Sequence, residues 1–425
     1  MLTSKKMQKA NLKKLLLVSS IYNSDENFKK IDRIKAIIKE LDSTLGKEVI
    51  DKIMKTHKDY EYGIKFLKFL DLHRKLKLRE ISKKLGASNP RLVEFWYRRN
   101  PPRPIITLLN IYFKNYHKIS KKDLGYLFGW GFGDGGLKSD LSSYFVCGTR
   151  NDLLRIKSHF NDIAPLLPAI IEENFGNSSV QQANGKIKHI SSNDSWILGV
   201  NDSSFSKLLH ALGLPKGEKV LQPTKIPDLV KEGNKQTKKA FLNALFEGEL
   251  QAHKVKFNAK RNKIDICPIT FGLNKVKKYR EDLVNFLEDI RNLLQEFQIN
   301  STAAEEPKLS NIRKRDGLIT YSSRFYISIS AFNTIRFSEF IDFPFNEKKK
   351  IAVQEAVKEA RRKINSMELQ IIKYNEALEL FRNGFSIYKI SKELNIQWHT
   401  ANNWLKTKKH LPVLVQNSSG VSNGI

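Results

Sequence analysis

Two stretches of this 425-residue chain run through small residues and end on a carboxylate. They are Leu127-Phe-Gly-Trp-Gly-Phe-Gly-Asp-Gly135 and Leu242-Asn-Ala-Leu-Phe-Glu-Gly-Glu-Leu250. Gly129 and Gly133 are four apart, as are Ala244 and Gly248. On helices these pairs line one face and let another backbone approach closely. The glycines at 129, 131 and 133 each cost a helix about 1 kcal/mol relative to alanine. That cost makes sense if the two helices pack backbone to backbone. Such packing brings Asp134 and Glu249 to one end of the pair, where like charges and two helix C-termini favour a bound cation.

The elements around these stretches form an internal repeat. The pattern predicts a helix over Leu124–Gly133, a strand over Ser143–Gly148, a helix around Leu153–Phe160, a strand over Ser195–Val200 and a helix from Ser203 to Leu212. The order recurs: a helix over Ala240–Gly248, strands near Val255–Phe257 and Ile264–Phe271, a helix over Val276–Phe297, a strand over Arg324–Ser330 and a helix from Phe332. Trp196-Ile-Leu-Gly-Val-Asn and Phe325-Tyr-Ile-Ser-Ile-Ser hold equivalent places, each a period-2 strand running into a short helix. The expectation is an α+β fold: a pseudo-twofold pair of αββαββα halves at about 122–222 and 223–350, in a monomer with internal pseudo-symmetry.

Both carboxylate-ending stretches resemble the signature of the LAGLIDADG homing endonucleases. The resemblance covers roughly residues 122–350 and extends to Pro223-Thr-Lys-Ile-Pro227-Asp-Leu and Lys238-Lys-Ala-Phe-Leu242, which look like the run-up to a second motif. It implies that the last acid of each motif, Asp134 and Glu249, binds divalent metal, Mg²⁺ or Mn²⁺. It also implies that the sheet of each half saddles the major groove of double-stranded DNA. A hard cation held by carboxylates and phosphate can polarise a phosphodiester, activate water and neutralise the leaving oxygen. One acid per strand implies a double-strand break. The second motif departs from the family in Glu249, in Leu250 where a glycine is usual, and in Asn243. The family also places basic residues near the metals, which makes Lys138, His253 and Lys254 candidates, with Lys138 and Lys254 taken as catalytic beside the two acids.

Near the C-terminus, Ala377–Gly384 closes a helix on glycine, Ser386 caps a second through Leu394, and Asn395 turns into a third over Gln397–Leu405. This resembles a helix-turn-helix of the resolvase and transposase type, placed at 366–412. Ile387, Ile390, Leu394, Ile396, Ala401 and Trp404 would form its core. Gln397, His399, Thr400, Asn402 and Asn403 suit base edges, and Lys406, Lys408 and Lys409 suit phosphates. A related pattern at Leu78–Ser88 and Pro90–Arg99, about 76–99, falls within a basic helical region at 1–104. Three prolines over Arg99–Pro104 read as a linker, and 413–425 as a disordered tail.

The chain carries 74 Lys+Arg against 44 Asp+Glu, a formal +30. Residues 1–122 hold +18 of it (30 basic, 12 acidic), 123–350 hold +7 and 351–425 hold +5. So large a surplus points to a polyanion such as nucleic acid. With 40% hydrophobic residues and no run approaching membrane-helix length, the chain reads as folded and soluble. Cys147 and Cys267 stand alone, which excludes a disulfide framework and a thiolate zinc site. Without a signal-peptide pattern, the expected setting is the cytoplasm, associated with the nucleoid, in a prokaryotic or organellar context. The ends lack the Cys or Ser and the His-Asn of an intein. The leading expectation is a site-specific, metal-dependent DNA endonuclease of a mobile element. A non-catalytic transcription regulator on the same scaffold is second, and an intron RNA maturase third.

Overall fold

The apolar positions of the N-terminal region repeat at helical spacing, and the chain turns helical there. The computed structural model describes residues 24–86, 90–98, 100–165, 167–173, 178–182, 187–190, 195–251, 255–313, 316–408 and 411–412. Helices α1 (Ser24–Leu45), α2 (Lys47–Lys55), α3 (Tyr60–Leu72), α4 (Leu78–Lys84), α5 (Pro90–Arg98) and α6 (Arg103–Phe113) come first. Ile31, Ile34, Leu41, Ile53, Phe66 and Phe69 are fully buried. The three-proline stretch is not a linker: Pro101 and Pro104 are buried, and Pro102 in extended conformation caps α6. Pro104 sits in the first helical turn, where its missing N–H would have no partner.

The first half contains α7 (Lys121–Phe132), β1 (Gly135–Leu137), β2 (Tyr144–Gly148), α8 (Arg150–Ile163), β3 (Ala169–Glu173), β4 (Ser178–Gln182), β5 (Ile187–Ile190), β6 (Trp196–Val200) and α9 (Ser203–Ala211). The second contains α10 (Asp228–Lys231), α11 (Lys235–Glu249), β7 (Val255–Asn258), β8 (Lys263–Ile266), β9 (Ile269–Val276), α12 (Arg280–Glu296), β10 (Lys308–Ile312), β11 (Ile319–Ile327) and α13 (Ala331–Phe340). Ser120 and Asn234 accept the backbone N–H of Asp123 and Thr237, so each central helix starts on a side-chain cap.

The α+β class is as expected, but the halves differ. The first sheet runs β1-β2-β6-β3, and the second runs β5-β4-β10-β11-β9. Strands β2, β6 and β3 therefore match β9, β11 and β10. The β4–β5 hairpin leaves its own half and joins the second sheet through β4, with Asn311 opposite Gln182 and Ile312 opposite Gln181. No described strand of the second sheet matches β1. Instead β7 and β8 pair with each other. Ile266 of that hairpin packs with Ala331, Ala356 and Ala360 in a small separate core.

The N-terminal helices share one apolar core with both halves, which includes Ile31, Leu108, Leu127 and Phe241. Polar contacts tie them to α9. Lys114 and Tyr116 both donate to the buried Asp202, which also caps α9 by accepting from Ser204 N. His57 Nε2 lies 3.0 Å from both Thr107 Oγ1 and Lys207 Nζ.

Helix α14 (Glu347–Arg382) follows as a single 36-residue helix. It has no glycine or proline to end it. Gly384 at φ +83° turns the chain, Ser386 caps α15 (Ile387–Glu393), and Asn395 at φ +48° leads into α16 (Trp398–Asn402). Ala377, Ile390, Trp404 and Leu405 form a core of their own with Leu394 and Ile396 against it.

Candidate functional site

Helices α7 and α11 meet backbone to backbone. A Cβ on Gly125 would come within 2.5 Å of Thr237 O. One on Gly129 would overlap Phe241 O and lie 2.7 Å from the Ala244 Cβ. One on Gly133 would lie 3.4 Å from Leu245 O and 3.6 Å from Glu249 Cγ. One on Gly248 would lie 3.1 Å from the backbone N and from Oδ2 of Asp134. The structure thus brings Gly129, Gly133, Ala244 and Gly248 to one helix–helix seam and places Asp134 and Glu249 at its end. Beyond Gly133, Cys147 N donates to Asp134 O at 2.9 Å, so β2 fixes the main chain of the first acid.

The acids share a local field. Asp134 is exposed, yet the surrounding atoms desolvate its carboxyl and raise it, while Lys349 and then Lys219 oppose that rise. Burial also raises Glu249, and the Asp134 charge adds to the effect. Two carboxylates this close resist ionising together unless positive charge joins them.

Two lysines supply such charge. Lys219 Nζ donates to Phe132 O at 2.8 Å, to Gly131 O at 3.3 Å and to Gly133 O, covering the carbonyl end of α7. Lys349 Nζ does the same for α11, at 3.2 Å from Phe246 O, 2.5 Å from Glu247 O and 3.2 Å from Gly248 O. A cation at a helix C-terminus satisfies orphan carbonyls and complements the dipole. The electrostatics cross the pseudo-dyad. Lys219 caps the helix of Asp134, yet of the carboxylates Glu249 acts on it most, and Lys349 caps the helix of Glu249, yet of the carboxylates Asp134 acts on it most. Burial lowers both lysines, and the carboxylates pull against that.

Sequence reasoning missed both lysines. Lys219 sits in a loop after α9, and Lys349 sits in a run of three lysines that reads as a solvated surface. Lys138 lines the cleft of about 780 Å³ beside Asp134 and Lys219, with Asn274, Asn311 and Thr320 of the second sheet facing them. Its side chain is exposed. His253 and Lys254 lie outside the described residues.

The donor set suits a hard divalent cation. Asp134 and Glu249 would offer carboxylate oxygens from the two helix ends, and Asp134 lines a cleft open to solvent. Among the described residues no third Asp, Glu, His or Cys joins them.

At the C-terminal end, Gln397, His399, Lys406 and Lys408 are exposed, while Thr400, Asn402 and Asn403 are half-buried. Asn403 holds Thr407 Oγ1 at 3.3 Å through its carbonyl oxygen. Lys409 lies outside the described residues. Trp398 and Tyr388 also present large exposed rings. Among the described residues no helix is long and apolar enough to cross a membrane.

No family model matches the chain. It is 35% identical over 115 residues to the tRNA-splicing ligase RtcB of Methanopyrus kandleri, covering 27% of this chain and 11% of that protein. It is 25% identical over 284 residues to RtcB of Methanocaldococcus jannaschii, covering 65% and 28%. It is also 31% identical over 175 residues to the RNA polymerase subunit Rpo1N of the same organism, covering 41% and 12%. The chain thus spans only about a tenth to just over a quarter of the length of these curated relatives. Among solved structures, the homing endonuclease I-WcaI bound to its DNA recognition sequence aligns at 14% identity and a TM-score of 0.32, over 58% of this chain and 92% of that one. I-DmoI in complex with DNA and Mn aligns at 17% and 0.29, over 52% and 96%.

Proposed function

We propose that the chain is a metal-dependent, site-specific DNA endonuclease of the LAGLIDADG type. The observation that carries this reading is the seam of α7 and α11, which ends in Asp134 and Glu249 with a capping lysine reaching in from each half. A scaffold protein has no use for two raised carboxyls paired at the end of such a seam. The curated relatives differ in activity, a tRNA-splicing ligase and an RNA polymerase subunit, and this chain matches only a fraction of each.

In this reading Asp134 and Glu249 hold Mg²⁺ or Mn²⁺. A bound divalent ion supplies Lewis acidity at the scissile phosphate and a readily ionised water. The residues of the chain do the rest. Lys219 and Lys349 favour the charged form of the acids at the helix ends and add positive charge where the phosphate gains negative charge. The second sheet presents polar side chains such as Asn274 and Asn311 to the groove. The three-helix module at the end of α14 adds a second contact through Gln397 and His399 to bases, and through Lys406 and Lys408 to phosphates.

The test is a cleavage assay on a DNA pool carrying the genomic flanks of the coding sequence, with Mg²⁺ and with chelator. A discrete Mg²⁺-dependent product supports the endonuclease. Binding without cutting would favour a regulator, and tight binding to structured RNA alone would favour a maturase.

A further inference from the structure

Lys275 lies on β9 in the second half, yet its ammonium reaches into the loop that follows the first. It is 3% exposed. Its Nζ donates to Gln222 O at 2.8 Å, and also to Lys219 O and Thr224 Oγ1. Three donors thus meet three acceptors, all between residues 219 and 224. Burial pushes the ammonium down to about 8, and the nearby charge of Lys219 adds to that. The fold keeps a costly buried cation where an apolar residue would leave three loop oxygens unpaired.

Lys219 is the residue whose side chain covers the carbonyls of Gly131, Phe132 and Gly133 and whose charge faces Glu249. Its counterpart Lys349 needs no such brace, because it sits in the first turn of α14, where the helix itself fixes its main chain. The two lysines are therefore held by different means, one by a helix and one by a buried side chain from the opposite half.

We infer that Lys275 is a positioning residue for one of the two strand-cutting sites: it locks the 219–224 loop and through it aims the Lys219 ammonium. This rests on the endonuclease reading. It separates from that reading because it predicts which strand suffers. A general loss of fold would slow both strands together. Loss of the brace slows only the strand that depends on Lys219.

The experiment uses the full chain and a duplex, end-labelled on either strand, carrying the site the wild-type protein cuts. Lys219→Met and Lys349→Met first identify the strand each lysine serves. Lys275→Met is then expected to slow the Lys219 strand by about tenfold to hundredfold, the scale of a displaced catalytic group. The Lys349 strand should stay within about twofold of wild type, leaving a nicked intermediate. Lys275→Arg should recover part of the loss, since it keeps the charge and at least one donor contact. Thr224→Val, which removes one acceptor and spares the lysine, should slow the same strand less and guards against a poorly folded Lys275→Met. Hydrogen exchange over 219–224 should quicken in Lys275→Met, with 347–351 unchanged. Equal slowing of both strands, or unchanged exchange in the loop, would overturn the inference while leaving the endonuclease standing. A wild-type protein that cuts nothing would remove the endonuclease reading and this inference with it.

Discussion

The Asp134 carboxylate rests against Gly248 of the opposite motif helix, so close that a Cβ there would lie 3.1 Å from Asp134 Oδ2. The acid of one half is thus seated on a glycine of the other. Gly248→Ala forces Asp134 to give way by a few tenths of an ångström while leaving the rest of the seam in place. The expected result is a small change in melting temperature with a drop in cleavage of about tenfold or more. Circular dichroism melts beside a cleavage time course check it.

Deeper in the seam the same substitution acts on stability. A Cβ on Gly129 meets the Phe241 carbonyl and the Ala244 Cβ, and backbone cannot swing aside. Gly129→Ala is expected to cost at least the roughly 1–3 kcal/mol of ordinary overpacking. Urea unfolding measures it, and a loss no larger than that of Gly248→Ala would contradict the seam geometry.

Stability should depend on pH in a defined direction. Burial raises Glu247 to about 7, although Phe345 and Asn346 N–H both bond its Oε1 at 2.6 Å. A carboxyl raised on folding binds its proton more tightly in the folded state. Its stabilising contribution is full below the unfolded value near 4.5 and is lost as pH rises toward 7. Asp134 and Glu249, also raised, add to the same trend. Half-buried His57, lowered to about 4, acts in the opposite direction over the same window, so the check is a difference: in chelator Glu247→Gln, which keeps the Oε1 acceptor, is expected to gain in melting temperature relative to wild type as pH rises from 4.5 to 7. Added Mg²⁺ should restore stability at the upper end in wild type but not in Asp134→Asn.

The basic N-terminal helices offer a test of DNA grip. Lys29, Lys75, Lys77 and Arg79 are exposed and line one groove of about 1,230 Å³ with Phe28 and Tyr97. If the groove follows the phosphate backbone, changing all four to Gln should reduce the salt slope of binding by up to about 0.9 for each phosphate no longer neutralised. Fluorescence anisotropy across a salt series measures this. An unchanged slope would mean that the groove does not touch DNA.

The site was legible where its signal is local. Small residues four apart, followed by an acid, occur within single turns, so the seam and its two carboxylates could be read directly. Lys219 and Lys349 left no such trace, because each reaches the motif helix from a loop or helix far along the chain. Lys275 is invisible for the same reason. The recurring helices were readable from their apolar spacing, but sheet partners were not. The polar Ser178–Gln182 strand gains its place only by pairing with β10, and β7 with β8 form a hairpin where the repeat pattern suggested sheet strands. The prolines at 101 and 104 misled because local sequence marks a turn but does not tell whether tertiary packing buries it.

Asp134 and Glu249 stand or fall together as the groups that support metal-dependent DNA cleavage. The decisive comparison sets wild type against Asp134→Asn on the same flank-bearing DNA with Mg²⁺, reading cleavage on a gel and binding by mobility shift. Wild type is expected to cut discretely, and Asp134→Asn to lose at least one strand cut while binding within a few-fold of wild type. Undiminished cleavage of both strands by Asp134→Asn, or cleavage by wild type that persists in chelator, would contradict the endonuclease reading.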